Sequence, residues 1–115
     1  MLSNEVTSRQ SRSILPNTYK VVFRPRAQRR FEKLDYAIRQ QLARKLVERA
    51  QTPRIQADAL RKMKNCYKIK LRSSGVRLIY RVSEAEITLL VIAVAGREGE
   101  EAYLLAEAEI QTLDD

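Results

Sequence analysis

The run Cys66-Tyr67-Lys68-Ile69-Lys70-Leu71-Arg72-Ser73-Ser74-Gly75-Val76-Arg77-Leu78-Ile79-Tyr80-Arg81-Val82 decides how this chain folds. It reads as two short strands joined at a Ser-Ser-Gly turn signal. Apolar and cationic residues alternate through the first strand, and strand side chains point to opposite faces at period two. Tyr67, Ile69 and Leu71 therefore share one face, and Lys68, Lys70 and Arg72 the other. On the second strand Leu78, Tyr80 and Val82 turn away from Arg77, Ile79 and Arg81. A one-residue slip would send every side chain to the wrong face. Keeping the apolar residues together sets Leu71 across from Leu78, Ile69 from Tyr80 and Tyr67 from Val82, with residues 73–76 as the connection. Arg72 then faces Arg77, and Lys68 faces Arg81. Like charges directly opposite each other are destabilising. A face holding Lys68, Lys70, Arg72, Arg77 and Arg81 thus points to an anionic ligand; a plain solvated face is the other reading.

Working outward, 115 residues fit one domain that folds without disulfides or structural metal. Lys and Arg number 22 against 14 Asp and Glu, a net charge of +8, which favours polyanionic partners, nucleic acid first. Cys66 is the lone cysteine, which leaves neither a disulfide framework nor a thiolate metal site. No run approaches the length of a membrane span, and the N-terminus lacks the order of a signal peptide. A cytoplasmic protein is the default.

Residues 1–18 show no helical or strand period and read as a loosely held extension, with the domain proper over 19–115. Tyr19 to Phe23 makes a short strand stopped at Pro25, after which Ala27, Phe31 and Leu34 recur at helical spacing. Asp35 then looks like the N-cap of a helix from Tyr36 to Ala50. Its apolar face is Ile38, Leu42, Leu46 and Ala50, flanked by Ala43 and Val47. Arg39, Gln40, Arg44, Lys45, Glu48 and Arg49 are expected in solvent, either as a docking face or simply as a wet one. Thr52-Pro53 ends this helix. A basic connector follows, with Leu60 and Met63 as its anchors. Beyond the hairpin, Ile87 to Ala95 is almost wholly apolar, as a central strand covered on both sides would be. Glu98 to about Leu113 reads as a final helix. The order is strand, two helices, three antiparallel strands and a C-terminal helix: an α+β fold with helices packed against one sheet.

The chain has no histidine, which removes Ser-His and Cys-His nucleophile pairs and His-based zinc sites. No phosphate-cradling Gly-rich loop exists, and no acidic pair suggests a two-metal nuclease. Metal-free RNA cleavage remains open. The ribose 2′-OH can attack the adjacent phosphate if its proton is accepted, the extra charge on phosphorus is stabilised and the 5′ oxygen is helped to leave. Arg stays protonated and cannot be the base. Lys can, because nearby cations disfavour its charged form, and Lys70 stands among Lys68, Arg72 and Arg77. Tyr103 either stacks on a base, takes part in proton transfer or is a buried core tyrosine.

At these residues the chain closely resembles the RelE branch of the RelE/ParE toxin superfamily. The likeness runs from about Tyr19 to Ile110 and is strongest at Pro53-Arg54-Ile55, Leu60-Arg61, the run from Cys66 to Gly75, Arg77-Leu78, Tyr80, Arg97-Glu98 and Tyr103. The resemblance implies the RelE-like microbial ribonuclease fold and a type II toxin that cleaves messenger RNA in the ribosomal A site. It implies a cognate antitoxin, the ribosome and mRNA as partners, and no cofactor or metal. Residue by residue it implies Lys70 as general base, Lys68 and Arg77 around the charged transition state, Arg97 beside the leaving group and Tyr103 stacked on the substrate. Arg72, Arg81, Arg61, Arg44 and Lys45 are the further cations expected on RNA or the ribosome. Lys62 stands where a Gly is common, Gly96 and Gly99 where relatives are basic, and the 18-residue extension is unmatched. These departures bear on ribosome affinity and codon preference. The alternatives are a ParE-like inhibitor of DNA gyrase with the same fold, and a basic RNA-binding module without catalysis.

Overall fold

The structure is a computed structural model and describes residues 18–96 and 100–114. The expected N-terminal extension lies, but for Thr18, outside the described residues. The chain runs β1 (Lys20–Phe23), α1 (Pro25–Glu32), α2 (Tyr36–Gln51), a short 3-10 turn (Gln56–Asp58), β2 (Cys66–Lys70), β3 (Arg77–Ser83), β4 (Thr88–Ala95) and α3 (Glu101–Asp114). The strands form one sheet in the order β1-β4-β3-β2. β2, β3 and β4 are antiparallel, as expected from the sequence. β1 lies parallel to β4, and α1 and α2 carry the chain across the sheet from β1 to β2, the parallel strand at its opposite edge.

The apolar run of β4 occupies the inside of the sheet because both of its faces are covered. Leu89, Val91 and Val94 join the core beneath α1 and α2, where Ala27, Leu42 and Leu46 meet Ile69, Leu78 and Tyr80. Ile92, Ala93 and Ala95 join a second core beneath α3, with Met63, Cys66 and Ile79. Consecutive residues Ile92 and Ala93 share a face because the β3–β4 register shifts there: Ile79 pairs with Ala93, and Tyr80 with Val91. This bulge re-aims the end of β4. α3 approaches the sheet through Ala102 and Ala106, whose small side chains permit close packing. Leu60 and Met63 anchor the connector in that second core, as the sequence suggested.

Face assignment in the β2–β3 hairpin matches the sequence reading, but register does not. Tyr67 pairs with Tyr80, Ile69 with Leu78 and Lys70 with Arg77, a slide of two residues from the expected pairing. A slide of two preserves every face, so hydrophobic alternation cannot choose between these registers. The turn chooses. Gly75 adopts φ 78°, open to glycine at no steric cost. Its N–H donates to the Leu71 carbonyl at 2.8 Å, while the Leu71 N–H donates to the Val76 carbonyl at 2.9 Å. The connection is therefore residues 72–75. Arg72 leaves the ladder, Lys68 lies opposite Ile79, and Arg81 lies opposite Cys66.

α2 also departs from expectation at its edges. Asp35 is the N-cap residue, but its carboxylate makes no capping hydrogen bond. Ala43 and Val47 are exposed rather than packed. Arg49, expected in solvent, turns inward instead. It donates to the Lys68 carbonyl at 3.2 Å, to the Tyr80 hydroxyl at 2.9 Å and to Asp58 at 2.6 Å. The Tyr80 hydroxyl donates in turn to the Pro53 carbonyl at 2.6 Å, and the Tyr80 ring stacks on Tyr67 with centroids 5.7 Å apart. Burial is the main influence pushing the Tyr80 phenol up, against the pull of Arg49. This knot locks α2 and the connector to the hairpin. A second knot holds the far end of the sheet, where Arg54 meets Glu84 at 2.6 Å and Tyr19 donates to the same carboxylate. The Tyr19 hydrogen bond, then Arg54, holds Glu84 below the usual carboxylate range.

Candidate active site

The hairpin end of the sheet gathers three of the five expected cations of that face. Lys70 and Arg77 are direct cross-strand partners on β2 and β3. Lys68 stands one same-face step behind Lys70, about 7 Å along the strand. On its other side Arg77 pairs with Ala95, the last residue of β4. Lys70 is exposed, whereas Lys68 and Arg77 are half-buried. The sequence places them there by simple means: buried Ile69, Leu71, Val76 and Leu78 fasten the opposite side of the hairpin to the core. The cations are left no other direction.

Arg77 carries the most informative detail. Its Nη1 is buried and has no hydrogen-bond partner among the described residues. A buried donor without an acceptor is unfavourable by about 1–3 kcal/mol, and such groups are rare in folded proteins. A guanidinium N–H without a partner among the described residues, beside two lysines, suits an incoming anionic oxygen, which it can bind through planar, charge-assisted hydrogen bonds.

The other expected residues divide. Arg97 lies outside the described residues; Ala95, two positions earlier in the chain, is the partner of Arg77. Arg72 is exposed in the turn next to the cluster. Arg81 is not part of it. It stands four residues along β3 from Arg77, about 13 Å away at strand rise, and is paired with Asp114 at 3.1 Å. Between the two arginines Ile79 is fully buried beneath α3. The single five-cation face read from the sequence is thus divided by the C-terminal helix. Arg44 and Lys45 are exposed on α2, whose buried side packs on the opposite face of the sheet, so they do not converge with Lys70.

Tyr103 and Arg61 do come together. Both line a groove between the connector and α3, with Lys62, Leu104 and Glu107. Tyr103 is half-buried, packed against the second core and also lining the groove, so it is not a fully buried core tyrosine. Sequence reasoning missed the acidic wall of this groove. The signal was present as Glu100, Tyr103, Leu104 and Glu107 at i, i+3, i+4 and i+7, one stripe of a helix.

Ion pairs hold α3 against this surface. Arg24 meets Glu109 at 3.0 Å, Arg30 meets Glu101 at 3.1 Å, and Arg81 meets Asp114. Cys66 lies under the same helix with its thiol pushed up to about 11, chiefly by burial, which makes it a core residue and not a nucleophile. Among the described residues no three Cys, Asp or Glu side chains gather as a metal site requires.

Comparison with known proteins follows these features. The family described as "ParE toxin of type II toxin-antitoxin system, parDE" matches residues 21–100. The mRNA interferase toxin RelE of Escherichia coli K12 is 48% identical over 85 residues, which cover 74% of this chain and 90% of that protein. The fold superposes on a mutant of E. coli RelE in the free state with a TM-score of 0.76, at 45% identity, over 81% of this chain and 98% of that one. It also superposes on E. coli RelE within the intact RelBE toxin–antitoxin complex with a TM-score of 0.66, at 48% identity, over 67% of this chain and 94% of that one. A cationic hairpin end on this sheet and near-complete coverage of these relatives agree: the chain belongs to the RelE branch of the RelE/ParE toxin superfamily.

Proposed function

We propose that this chain is the toxin of a type II toxin–antitoxin pair and that it cleaves messenger RNA in the ribosomal A site. The reaction is internal attack of a ribose 2′-OH on its own phosphodiester, without metal. Identity to a protein named an mRNA interferase supports the class of reaction. The observation that carries the mechanism is the Lys70–Arg77 pair, with Lys68 behind it and an Arg77 Nη1 that has no partner among the described residues. Lys70, the exposed member, accepts the 2′-OH proton. Lys68 and Arg77 stabilise the charge that builds on the non-bridging oxygens, where preorganised donors have their largest effect. Arg97 stabilises the leaving 5′ oxygen, and Tyr103 stacks on a base. Arg72 and Arg61 extend the phosphate track on either side.

A cognate antitoxin masks this surface in the resting cell, in line with the RelB partner of the E. coli relative. The chain acts in the cytoplasm, where ribosomes are; no helix of the described residues is long and apolar enough to cross a membrane. The ParE description of the matching family keeps a second reading in view, a gyrase-directed toxin without nuclease activity. Primer extension on cellular mRNA after induction separates them. Codon-phased 5′ ends support the ribonuclease, whereas intact message with DNA damage sinks it. Lys70→Ala and Arg97→Ala should each relieve growth arrest while the protein still folds; full toxicity in both would defeat the role assignment.

A further inference from the structure

Beside the cation cluster, the connector and α3 leave a groove of about 330 Å³, inside the range of roughly 300–1,000 Å³ usual for small-ligand sites. Its floor is apolar, formed by Met63, Leu104 and part of Tyr103. Its walls carry opposite charge: Arg61 and Lys62 on the connector, Glu100 and Glu107 on α3. Ala102 and Ala106 turn to the sheet, and this leaves the stripe from Glu100 to Glu107 for the groove. Leu104 is 61% exposed there. Among the described residues no ion pair joins the two walls. Facing charges that stay apart over an uncovered apolar floor suit an occupant with three parts. It is flat and apolar in the middle, anionic at one end and rich in N–H donors at the other. A nucleotide has that form.

The groove and the reacting cations share one face of the sheet, with Met63 and Tyr103 packed on Cys66 of β2. The Cys66 N–H donates to the Met63 carbonyl at 3.3 Å, and Lys68 is the next residue on the same face of β2 after Cys66, about 7 Å on. We infer that the groove receives one nucleotide flanking the scissile phosphate, and that Glu107 with Glu100 selects a base bearing an exocyclic amine. The inference rests on the ribonuclease reading above and adds base selectivity to it. Arg61 and Lys62 hold the nucleotide's phosphate. The carboxylates repel that phosphate, so they orient the base towards themselves. An ionised carboxylate only accepts hydrogen bonds. Adenine, cytosine and guanine each offer it an amine, whereas uracil has no amine and flanks its N3–H with two carbonyl oxygens that repel a carboxylate. Lys62 gives this chain a second cation beside Arg61 on the phosphate side of the groove.

The test uses the full chain with ribosomes programmed by messages that differ only in one nucleotide, varied through all four bases at each position flanking the cut in turn. Glu107→Gln, Glu107→Ala and the double variant Glu100→Gln with Glu107→Gln are compared with wild type, and a thermal melt checks that each is folded. At one of the two positions wild type should cut amine-bearing messages faster than the uracil message. The double variant should reduce that preference by about tenfold, the worth of a hydrogen bond to a charged acceptor. Glu107→Gln and Glu107→Ala should each compress it, the amide by donating to uracil as well as accepting from amines and the alanine by removing the acceptor. A wild type that cuts none of the messages sinks the ribonuclease reading and this one with it. A wild type that cuts but ignores the flanking base, or folded variants that keep its preference, overturns the selecting groove alone. Substitutions that weaken the hold of a protein partner without moving the base preference also overturn it, by giving the groove to that partner.

Discussion

Replacing Arg77 with methionine should move stability and activity in opposite directions. Arg77 Nη1 is buried without an acceptor among the described residues, and Lys70 stands directly across the ladder. The unsatisfied donor is unfavourable by about 1–3 kcal/mol, and a like-charged cross-strand pair by about 0.2–1 kcal/mol. Methionine keeps the apolar stem that packs at the end of the sheet and removes both penalties. Allowing for relaxation around the site, Arg77→Met should gain about 1–2 kcal/mol of folding stability. In a domain of this size each kcal/mol is worth about 4–8 °C of melting temperature. Loss of a donor aimed at the developing phosphate charge should meanwhile slow the cleavage step by about 10²–10³-fold. Arg77→Lys should lie between, since it keeps the charge but loses the planar fork. Urea and thermal unfolding read the first effect, and single-turnover cleavage on programmed ribosomes reads the second. A variant that melts lower than wild type would mean that Arg77 is bonded within the fold and is not held open for substrate. A variant that cuts at the wild-type rate would remove Arg77 from the reaction.

Three further predictions concern the frame around the site. Tyr80→Phe removes the hydroxyl that donates to the Pro53 carbonyl and accepts from Arg49; it should lower stability by about 1–3 kcal/mol, and a urea midpoint equal to wild type would show that the knot contributes nothing. Ile87 sits at φ 50° in the turn before β4 while 52% exposed. A β-branched residue pays about 1–2 kcal/mol for that conformation, so Ile87→Asn should stabilise by about 1 kcal/mol, and a lower melting temperature would refute the strain. The Cys66 thiol, pushed from an ordinary 9.0 up to about 11, is protonated in both states at neutral pH. Its contribution to stability is therefore complete below pH 9 and is lost as pH rises through 11. Thiol-disulfide labelling of the native protein near pH 8 should accordingly run at least about 100-fold slower than after unfolding, two pH units' worth of thiolate; equal rates would put Cys66 at the surface.

α3 is attached by buried Ala102 and Ala106, by the partly buried Tyr103, Leu105, Ile110 and Leu113, and by ion pairs through Arg24, Arg30 and Arg81. Such partly exposed pairs weaken as salt rises. Added salt therefore weakens the ionic part of the attachment of the helix that carries Tyr103 and leaves its apolar part in place.

The sequence by itself determined which side chains share a face. Period-two alternation separated Tyr67, Ile69 and Leu71 from Lys68 and Lys70, the unbroken apolar run of β4 announced a strand covered twice, and Pro25, Asp35 and Pro53 bounded the helices within a residue or two. These are local signals, carried by residues a few positions apart. Only the tertiary structure decided what lies opposite what. A two-residue slide of β2 along β3 keeps every face and was settled by Gly75 in its left-handed turn, which brought Lys70 and not Arg72 to Arg77. The inward turn of Arg49, the capture of Arg81 by Asp114 and the groove between the connector and α3 all depend on partners distant in sequence. Charge pattern along a chain records that cations are present; whether they meet an anion, a carboxylate or a buried carbonyl depends on which segment folds over them.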